Sequence, residues 1–161
     1  MKSKIQDLLK DKKSILVFDV DGVLAPIEDG EYNHYSDSDE EWSKKLETEI
    51  DFYSKVRPIK IMQDYLKNKD MERVYVITKV MHNKEFLQKQ SFLKKNYNIN
   101  EDNCYMVFKD RDKLLILEEI KDNYPDLDDH YIVFVEDTVE NLTYVMNNSN
   151  FSTVHITSFM K

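Results

Sequence analysis

Short apolar runs alternate with helical patterns along the whole chain, and this alternation limits the fold more than any other sequence feature. Most runs are apolar at consecutive positions, as strands must be when helices cover both faces of their sheet. Such an alternation is typical of α/β domains. The sequence therefore predicts a doubly wound, Rossmann-like domain with helices on both faces of a mostly parallel sheet of five strands, at residues 15–19, 74–78, 104–108, 131–136 and 153–157.

Helix starts between these strands have recognisable sequence patterns. Ser38 and Glu41 have the spacing of a capping box, in which each side chain accepts a backbone N–H of the other residue. Asn83 precedes another helical pattern and is predicted to be its N-cap residue. Apolar residues recur at helical spacing after each start, so we expect these stripes to pack in the core.

One long segment, residues 24–57, separates the first strand from the next predicted helix. It includes an acidic run at residues 36–41, and a connection of this length in a compact domain is usually functional or disordered. No internal repeat or linker divides the rest of the chain, and 161 residues are the size of one domain. We therefore expect a single domain over residues 1–161, with a small insertion at about 24–57.

The charge balance and the apolar pattern exclude several classes of protein. The chain has 23 Lys and Arg residues against 31 Asp and Glu residues, a formal net charge of −8. Binding to a nucleic-acid polymer needs clustered positive charge, so we expect no such partner. The longest apolar runs are too short to span a membrane, and Cys104 is the single cysteine. Because the first 13 residues also lack a signal-peptide pattern, these features predict a soluble, cytoplasmic protein.

The most informative residues follow the first strand. Asp19 and Asp21 stand two positions apart, and Gly22 allows the backbone to turn sharply after them. Two carboxylates on the same side of a strand, about 4 Å apart, repel by about 4 kcal/mol at an effective dielectric constant of about 20. The pair therefore needs a cation or a shared proton. Ligands of parallel α/β sheets bind at the carboxyl ends of the strands, where both aspartates fall.

Three other strands end in residues that complement this acidic pair. Thr78 ends the second strand with a hydroxyl group, and Glu136 and Asp137 end the fourth with a second acidic pair. The third strand is followed by a basic cluster that contains Lys109 and Lys113. An acidic pair, a hydroxyl, a lysine and a second acidic pair thus occur at the ends of four successive strands.

This order of motifs resembles that of the haloacid dehalogenase superfamily of phosphatases and phosphotransferases. The family begins with an apolar run followed by DxDG and Val or Thr, and its second motif is an apolar strand ending in Thr or Ser. Its third motif is a lysine leading into a helix, and its fourth is an acidic pair with a polar residue or glycine four positions later. The matching positions are residues 17–23, residues 74–78, Lys113 or else Lys109, and residues 136–141.

The resemblance implies a Mg²⁺-dependent phosphatase that forms an aspartyl-phosphate intermediate. Asp19 would be the nucleophile, and Asp21 would protonate the leaving alcohol and then take a proton from water. Asp19, Asp137 and the backbone carbonyl of Asp21 would hold Mg²⁺, with Glu136 contributing directly or through water. The residues that match the family's substrate-binding positions are Gly22, Thr78, Lys109 and Lys113, and of the two lysines Lys113 fits the pattern better.

Several alternatives stay open at this stage. The expected partner is a small phosphorylated substrate, for which a nucleotide or a sugar monophosphate fits equally, and phosphatase and phosphotransferase chemistry both belong to the family. A non-catalytic phosphate- or metal-binding module on the same scaffold is the alternative function. A receiver-like signalling domain is excluded, because it would need an aspartate at the third strand end.

Segment 24–57 lies where the family has its cap, and its candidate specificity residues are Tyr32, His34, Tyr35 and Arg57.

Overall fold

The apolar runs of the sequence form one parallel sheet in the computed structural model, which describes residues 2–29, 32–33, 37–48 and 51–160. In chain order the elements are α1 (Lys2–Lys10), β1 (Ile15–Phe18), β2 (Glu28–Asp29), β3 (Tyr32–Asn33), α2 (Asp39–Thr48), α3 (Lys60–Leu66), β4 (Val74–Lys79), α4 (Asn83–Tyr97), β5 (Cys104–Val107), α5 (Lys113–Asp122), β6 (Ile132–Glu136), α6 (Val139–Asn148) and β7 (Ser152–His155). Short 3-10 helices lie at Phe52–Lys55, Met71–Arg73, Glu101–Asn103, Asp110–Asp112, Asp129–Tyr131 and Ile156–Phe159.

The main sheet has five strands in the order β5–β4–β1–β6–β7, and every pair is parallel. Strand β1 lies at the centre, where Leu16 is opposite Val74 of β4 and Val133 of β6. From β1 the chain winds outward through β4 and β5, then returns to the other side of β1 for β6 and β7. This confirms the predicted α/β class and the predicted sheet of five strands, which is parallel throughout.

Alternate residues of the central strand pack into two different cores. Leu16 and Phe18 belong to a core that includes Leu93 of α4 and residues of α1 and α3. Ile15 and Val17 belong to a second core with residues of α5 and α6. Because side chains alternate across a strand, the helices cover both faces of the sheet. This two-sided burial explains why the run at β1 is apolar at every position.

The described part of the insertion packs onto the domain through aromatic side chains. It contains the antiparallel pair β2–β3, helix α2 and the 3-10 helix Phe52–Lys55. Phe52 and Tyr53 are buried in the same core as α4. Trp42 of α2 meets their rings edge-on, with centroids 5.0 and 6.5 Å apart, and so anchors α2.

Of two predicted helix starts, the structure confirms one and contradicts the other. Ser38 and Glu41 form the capping box: the Ser38 N–H donates to Glu41 Oε2 at 2.7 Å, and the Glu41 N–H donates to Ser38 Oγ at 3.2 Å. The prediction for Asn83 is wrong, because the N-cap residue of α4 is His82, whose Nδ1 accepts the N–H of Glu85. An imidazole nitrogen here accepts the backbone N–H that a Ser, Thr, Asp or Asn side chain usually accepts at the start of a helix.

No helix in the described ranges combines the length and the apolar composition that crossing a lipid bilayer requires.

Candidate functional site

Acidic residues follow β1 and β6 where the carboxyl ends of these two neighbouring strands meet. The winding of the chain reverses between them, and this is the place in an open α/β sheet where ligands bind. A cleft of about 260 Å³ opens at this point. It is lined by Asp19, Asp21, Ile27, Lys79, Asp110, Lys113, Glu136, Asp137, Thr138 and Asn141.

Asp19 is a buried carboxylate held at the end of the central strand. Its N–H donates to the Val135 carbonyl at 3.0 Å, which continues the β1–β6 pairing and fixes its backbone. Oδ1 accepts a hydrogen bond from Lys113 at 3.0 Å, whereas Oδ2 has no hydrogen-bond partner among the described residues. Burial raises the pKa of Asp19 to about 7, even though the Lys113 ammonium acts in the opposite direction. Any cation that enters the cleft would favour the ionised form.

Lys113 provides the positive charge beside Asp19. This first residue of α5 is buried, and its ammonium bonds Glu136 Oε2 at 2.8 Å in addition to Asp19. Burial by itself lowers the pKa of Lys113, but the surrounding carboxylates outweigh it and leave the pKa above its ordinary value. The other candidate, Lys109, is exposed and does not line the cleft. Of the two predicted lysines, the structure brings Lys113 alone to Asp19.

Three carboxylates of the predicted metal set come together. Asp19, Glu136 and Asp137 each have an oxygen within 4.8 Å of the others. Glu136 is fully buried, and burial raises its pKa while Lys113 acts against the shift. Its Oε2 also accepts from Asn141 at 3.1 Å, and its Oε1 accepts the N–H of Asp137 at 3.0 Å. Glu136 is thus tied to its neighbours through both oxygens, while Asp137 is only partly buried.

Gly22 lies directly against one of these acids. Its φ angle is +80°, and a Cβ atom at this position would lie 2.1 Å from Asp137 Oδ2. The N–H of Gly22 donates to the Ala25 carbonyl at 2.7 Å, which closes the turn after Asp21. Glycine is required here both by the backbone conformation and by the close approach of a carboxylate.

Asp21 and Thr78 are joined by a residue that was not predicted to belong to the site. Lys89 of α4 is fully buried, and its ammonium bonds Asp21 Oδ2 at 2.8 Å and Thr78 Oγ1 at 2.9 Å. Thr78 is itself buried, and its hydroxyl contacts the Lys89 ammonium and the Lys79 carbonyl rather than a carboxylate of the acidic cluster. Asp21 lines the cleft, and its carboxylate also accepts a hydrogen bond from Tyr53 at 2.6 Å.

Two more residues at the cleft, Asp110 and Lys79, were missed as site residues, whereas Asn141 is the polar position of the fourth motif. Asp110 lies 3.5 Å from Lys113 and 3.9 Å from Lys79. Asn141 donates to Asp110 at 3.3 Å in addition to its bond with Glu136. Helical spacing could have revealed Asp110, because it precedes Lys113 by three residues in the 3-10 helix leading into α5. Lys79 follows Thr78 directly, and no pattern in the sequence distinguishes it from a surface lysine.

The candidate specificity residues are described only in part. His34 and Tyr35 lie outside the described residues. Tyr32 belongs to β3, and Arg57 follows the 3-10 helix Phe52–Lys55.

No protein-family model matches this chain, and no curated protein matches its sequence. The function of the site is therefore inferred from its own geometry and chemistry.

Proposed function

We propose that this protein is a Mg²⁺-dependent phosphatase of the haloacid dehalogenase type, which hydrolyses the phosphate monoester of a small metabolite through an aspartyl-phosphate on Asp19. One observation carries the proposal. Asp19 has a buried lysine on Oδ1, no hydrogen-bond partner on Oδ2 among the described residues, and two further carboxylates within reach of a shared cation. A phosphoryl group needs such a nucleophile together with neutralising positive charge.

The acidic cluster has the composition that Mg²⁺ prefers. Its three residues offer only oxygen atoms, and a single buried lysine leaves the cluster with excess negative charge. Asp19 and Asp137 would hold the ion with the backbone carbonyl of Asp21, and Glu136 would contribute directly or through water. When bound, the ion would neutralise charge on the phosphoryl oxygens.

In the first step, Asp19 Oδ2 attacks phosphorus in line with the leaving oxygen. A new bond forms between Asp19 and phosphorus while the bond from phosphorus to the alcohol oxygen breaks. Asp21, which lines the same cleft, gives a proton to the departing oxygen. Lys113 stays on Asp19 Oδ1 and so keeps the attacking oxygen in position.

In the second step, water attacks phosphorus and Asp21 takes its proton. The bond between phosphorus and Asp19 breaks, which releases inorganic phosphate and restores the carboxylate of Asp19. Asp21 then carries the proton needed for the next leaving group. Two moderate barriers replace one high barrier, because the anionic phosphoryl group otherwise repels a water nucleophile.

The remainder of the substrate would lie in a groove beside the cleft. This groove of about 530 Å³ shares Asp110, Thr138 and Asn141 with the lining of the cleft. Along it the Arg111 guanidinium lies 5.4 Å from the ring centroid of Tyr144. Its volume and polar lining suit a nucleotide or sugar monophosphate. Segment 24–57 would act as the cap over the site.

The test is phosphate release from p-nitrophenyl phosphate and from a panel of nucleotide and sugar monophosphates. Wild type and Asp19→Asn are compared with Mg²⁺ and with EDTA. Turnover that requires Mg²⁺ and disappears in Asp19→Asn supports the proposal, and the preferred panel member identifies the substrate class. If both proteins are equally inert while the wild type still binds Mg²⁺ by calorimetry, the phosphatase proposal fails and a non-catalytic binding module replaces it.

A further inference from the structure

We infer that Lys89 and Tyr53 are positioning residues for Asp21, so that the acid–base step depends on contacts from α4 and from the insertion. This inference rests on the proposed phosphatase function. The two donors reach Asp21 from different parts of the chain: Lys89 bonds Oδ2 at 2.8 Å, and the Tyr53 hydroxyl donates to Oδ1 at 2.6 Å. With one donor on each oxygen, the carboxylate cannot rotate without breaking a hydrogen bond to a buried donor.

Lys89 is held as firmly as the aspartate that it contacts. Its ammonium also bonds Glu85 Oε2 at 2.7 Å and the Lys79 carbonyl at 3.0 Å, besides Thr78 Oγ1. Burial by itself lowers the pKa of Lys89, but Asp21 and Glu85 raise it above its ordinary value. The side chain therefore stays charged, and its four acceptors fix the position of the ammonium.

Tyr53 is fixed by packing on the other side of Asp21. It is buried, and its ring lies edge-on to Phe52 and Phe92, with centroids 5.2 and 6.0 Å away. Burial and the neighbouring Asp21 raise the pKa of Tyr53 well above its ordinary value, so the hydroxyl remains a donor. The Lys89 ammonium lies 5.6 Å from the centre of the same ring.

Stability alone does not account for a lysine at this position. Replacing a buried ion pair by well-packed apolar residues is often neutral or stabilising, because charges lose solvation on burial. Lys89 adjoins the apolar side chains of the α4 core, where Phe92 and Leu93 lie on the same helix. What the lysine and the tyrosine provide is a fixed direction for the one carboxylate that must meet both the leaving oxygen and the attacking water.

The inference is tested by the dependence of the rate on the leaving group. Asp21 matters most when the departing oxygen is a poor leaving group, so its loss slows alkyl phosphates more than p-nitrophenyl phosphate. Tyr53→Phe and Lys89→Met should show the same selectivity as Asp21→Asn: kcat falls about tenfold further for an alkyl phosphate than for p-nitrophenyl phosphate, with little change in KM.

The matched control is Tyr97→Phe. Tyr97 is a buried tyrosine of α4 whose hydroxyl donates to the Leu24 carbonyl and accepts the Ile59 N–H, and no hydrogen bond joins it to Asp21. Any loss of kcat in Tyr97→Phe should be by the same factor for the alkyl phosphate and for p-nitrophenyl phosphate. If Lys89→Met does not fold, Tyr53→Phe decides the question, because it removes a single oxygen atom from the Asp21 contact.

Two outcomes separate this inference from the proposed function. A wild-type protein that is active on both esters, with equal losses for both in Tyr53→Phe and Lys89→Met, overturns the positioning role alone. A wild-type protein inactive on both esters, with Mg²⁺ present, removes the phosphatase proposal and this inference with it. Selective loss on the alkyl ester in both variants, but not in Tyr97→Phe, supports the positioning role.

Discussion

Lys113 Nζ and Asp19 Oδ1 are 3.0 Å apart in a buried ion pair, although the two residues are separated by 94 positions in the chain. The same ammonium bonds Glu136 at 2.8 Å. One cation thus holds together the acids that follow β1 and end β6. Removing it would leave two buried carboxylates facing each other without compensation.

Replacing Lys113 with methionine should cost about 3 kcal/mol of unfolding free energy, because a buried ion pair that loses one partner leaves an unpaired charge. Under the proposed function, turnover should also fall about 1000-fold. Lys109→Met is the matched control for stability and for p-nitrophenyl phosphate, since this exposed lysine lies in the neighbouring groove and not in the cleft. It should change stability by less than about 0.5 kcal/mol. Urea unfolding measures the effect on stability, and p-nitrophenyl phosphate turnover measures the effect on activity. Equal losses in Lys113→Met and Lys109→Met would contradict the assignment of Lys113 as the lysine of the site.

The raised pKa of Asp19 predicts that the metal-free protein loses stability as the pH rises from about 4 to about 7. Within this window the native state keeps a proton that the unfolded chain, with an ordinary Asp pKa of 3.8, has already released. The unfolding free energy therefore falls as the pH rises. The raised pKa of Glu136 acts in the same direction. Urea unfolding in EDTA at several pH values should show a smaller fall for Asp19→Asn than for the wild type.

Mg²⁺ provides the control for this pH effect. A cation favours the ionised carboxylates, so added Mg²⁺ should raise the melting temperature more at pH 7.5 than at pH 5. The rise should be much smaller in Asp19→Asn. Parallel pH profiles for wild type and Asp19→Asn in EDTA would show that Asp19 titrates normally and would count against its raised pKa.

The sheet and the acidic positions could be predicted because they depend on local patterns. The apolar run at β1 determines a strand buried on both faces, and Asp19 and Gly22 follow it directly in the sequence. The carboxyl ends of parallel strands share one edge of the sheet, so acids after β1 and at the end of β6 were expected to meet. Their oxygens do lie within 4.8 Å of one another.

The contacts of Asp21 could not be predicted, because they arise only when distant elements pack together. Lys89 is one of 20 lysines, and a lysine in an amphipathic helix ordinarily faces solvent. Its burial depends on meeting Asp21 and Glu85, of which the first lies 68 positions away. Tyr53 comes from the insertion, and no local pattern relates its hydroxyl to Asp21.

The orientation of Thr78 could not be predicted from the sequence either. The sequence predicts that this hydroxyl faces the site, but the strand continues to Lys79, and it is Lys79 that lines the cleft. Neighbouring residues of a strand point to opposite faces, so a shift of one position decides which side chain is presented.

Under the proposed function, the groove beside the cleft predicts a role in substrate choice for Arg111. Its guanidinium is exposed and lies over Tyr144, where it can meet the part of a substrate beyond the phosphate. Arg111→Ala should raise KM about tenfold for the preferred nucleotide or sugar phosphate and leave p-nitrophenyl phosphate unchanged. Arg73→Ala is the control, since Arg73 lies outside both the groove and the cleft. Equal KM changes for both substrates would show that the groove does not select the substrate.

Gly22 offers a test of the acidic cluster that does not depend on turnover. Gly22→Ala introduces a Cβ atom 2.1 Å from Asp137 Oδ2 at a φ angle of +80°. The alanine side chain must displace the carboxylate, so Mg²⁺ affinity measured by calorimetry should fall at least tenfold, and stability in EDTA should fall by about 1–3 kcal/mol.

Gly22→Ala is expected to lose stability for two reasons, the clash with the Asp137 carboxylate and the backbone strain at residue 22. The double variant Gly22→Ala/Asp137→Ala separates these two causes. Removing the carboxylate relieves the clash, so the double variant should be more stable in EDTA than Gly22→Ala alone, although the backbone strain remains. Mg²⁺ binding should stay weak, because Asp137 is then absent from the cluster. If Gly22→Ala binds Mg²⁺ as tightly as the wild type, Asp137 does not need the position it has in this structure, and its assignment as a metal ligand is wrong.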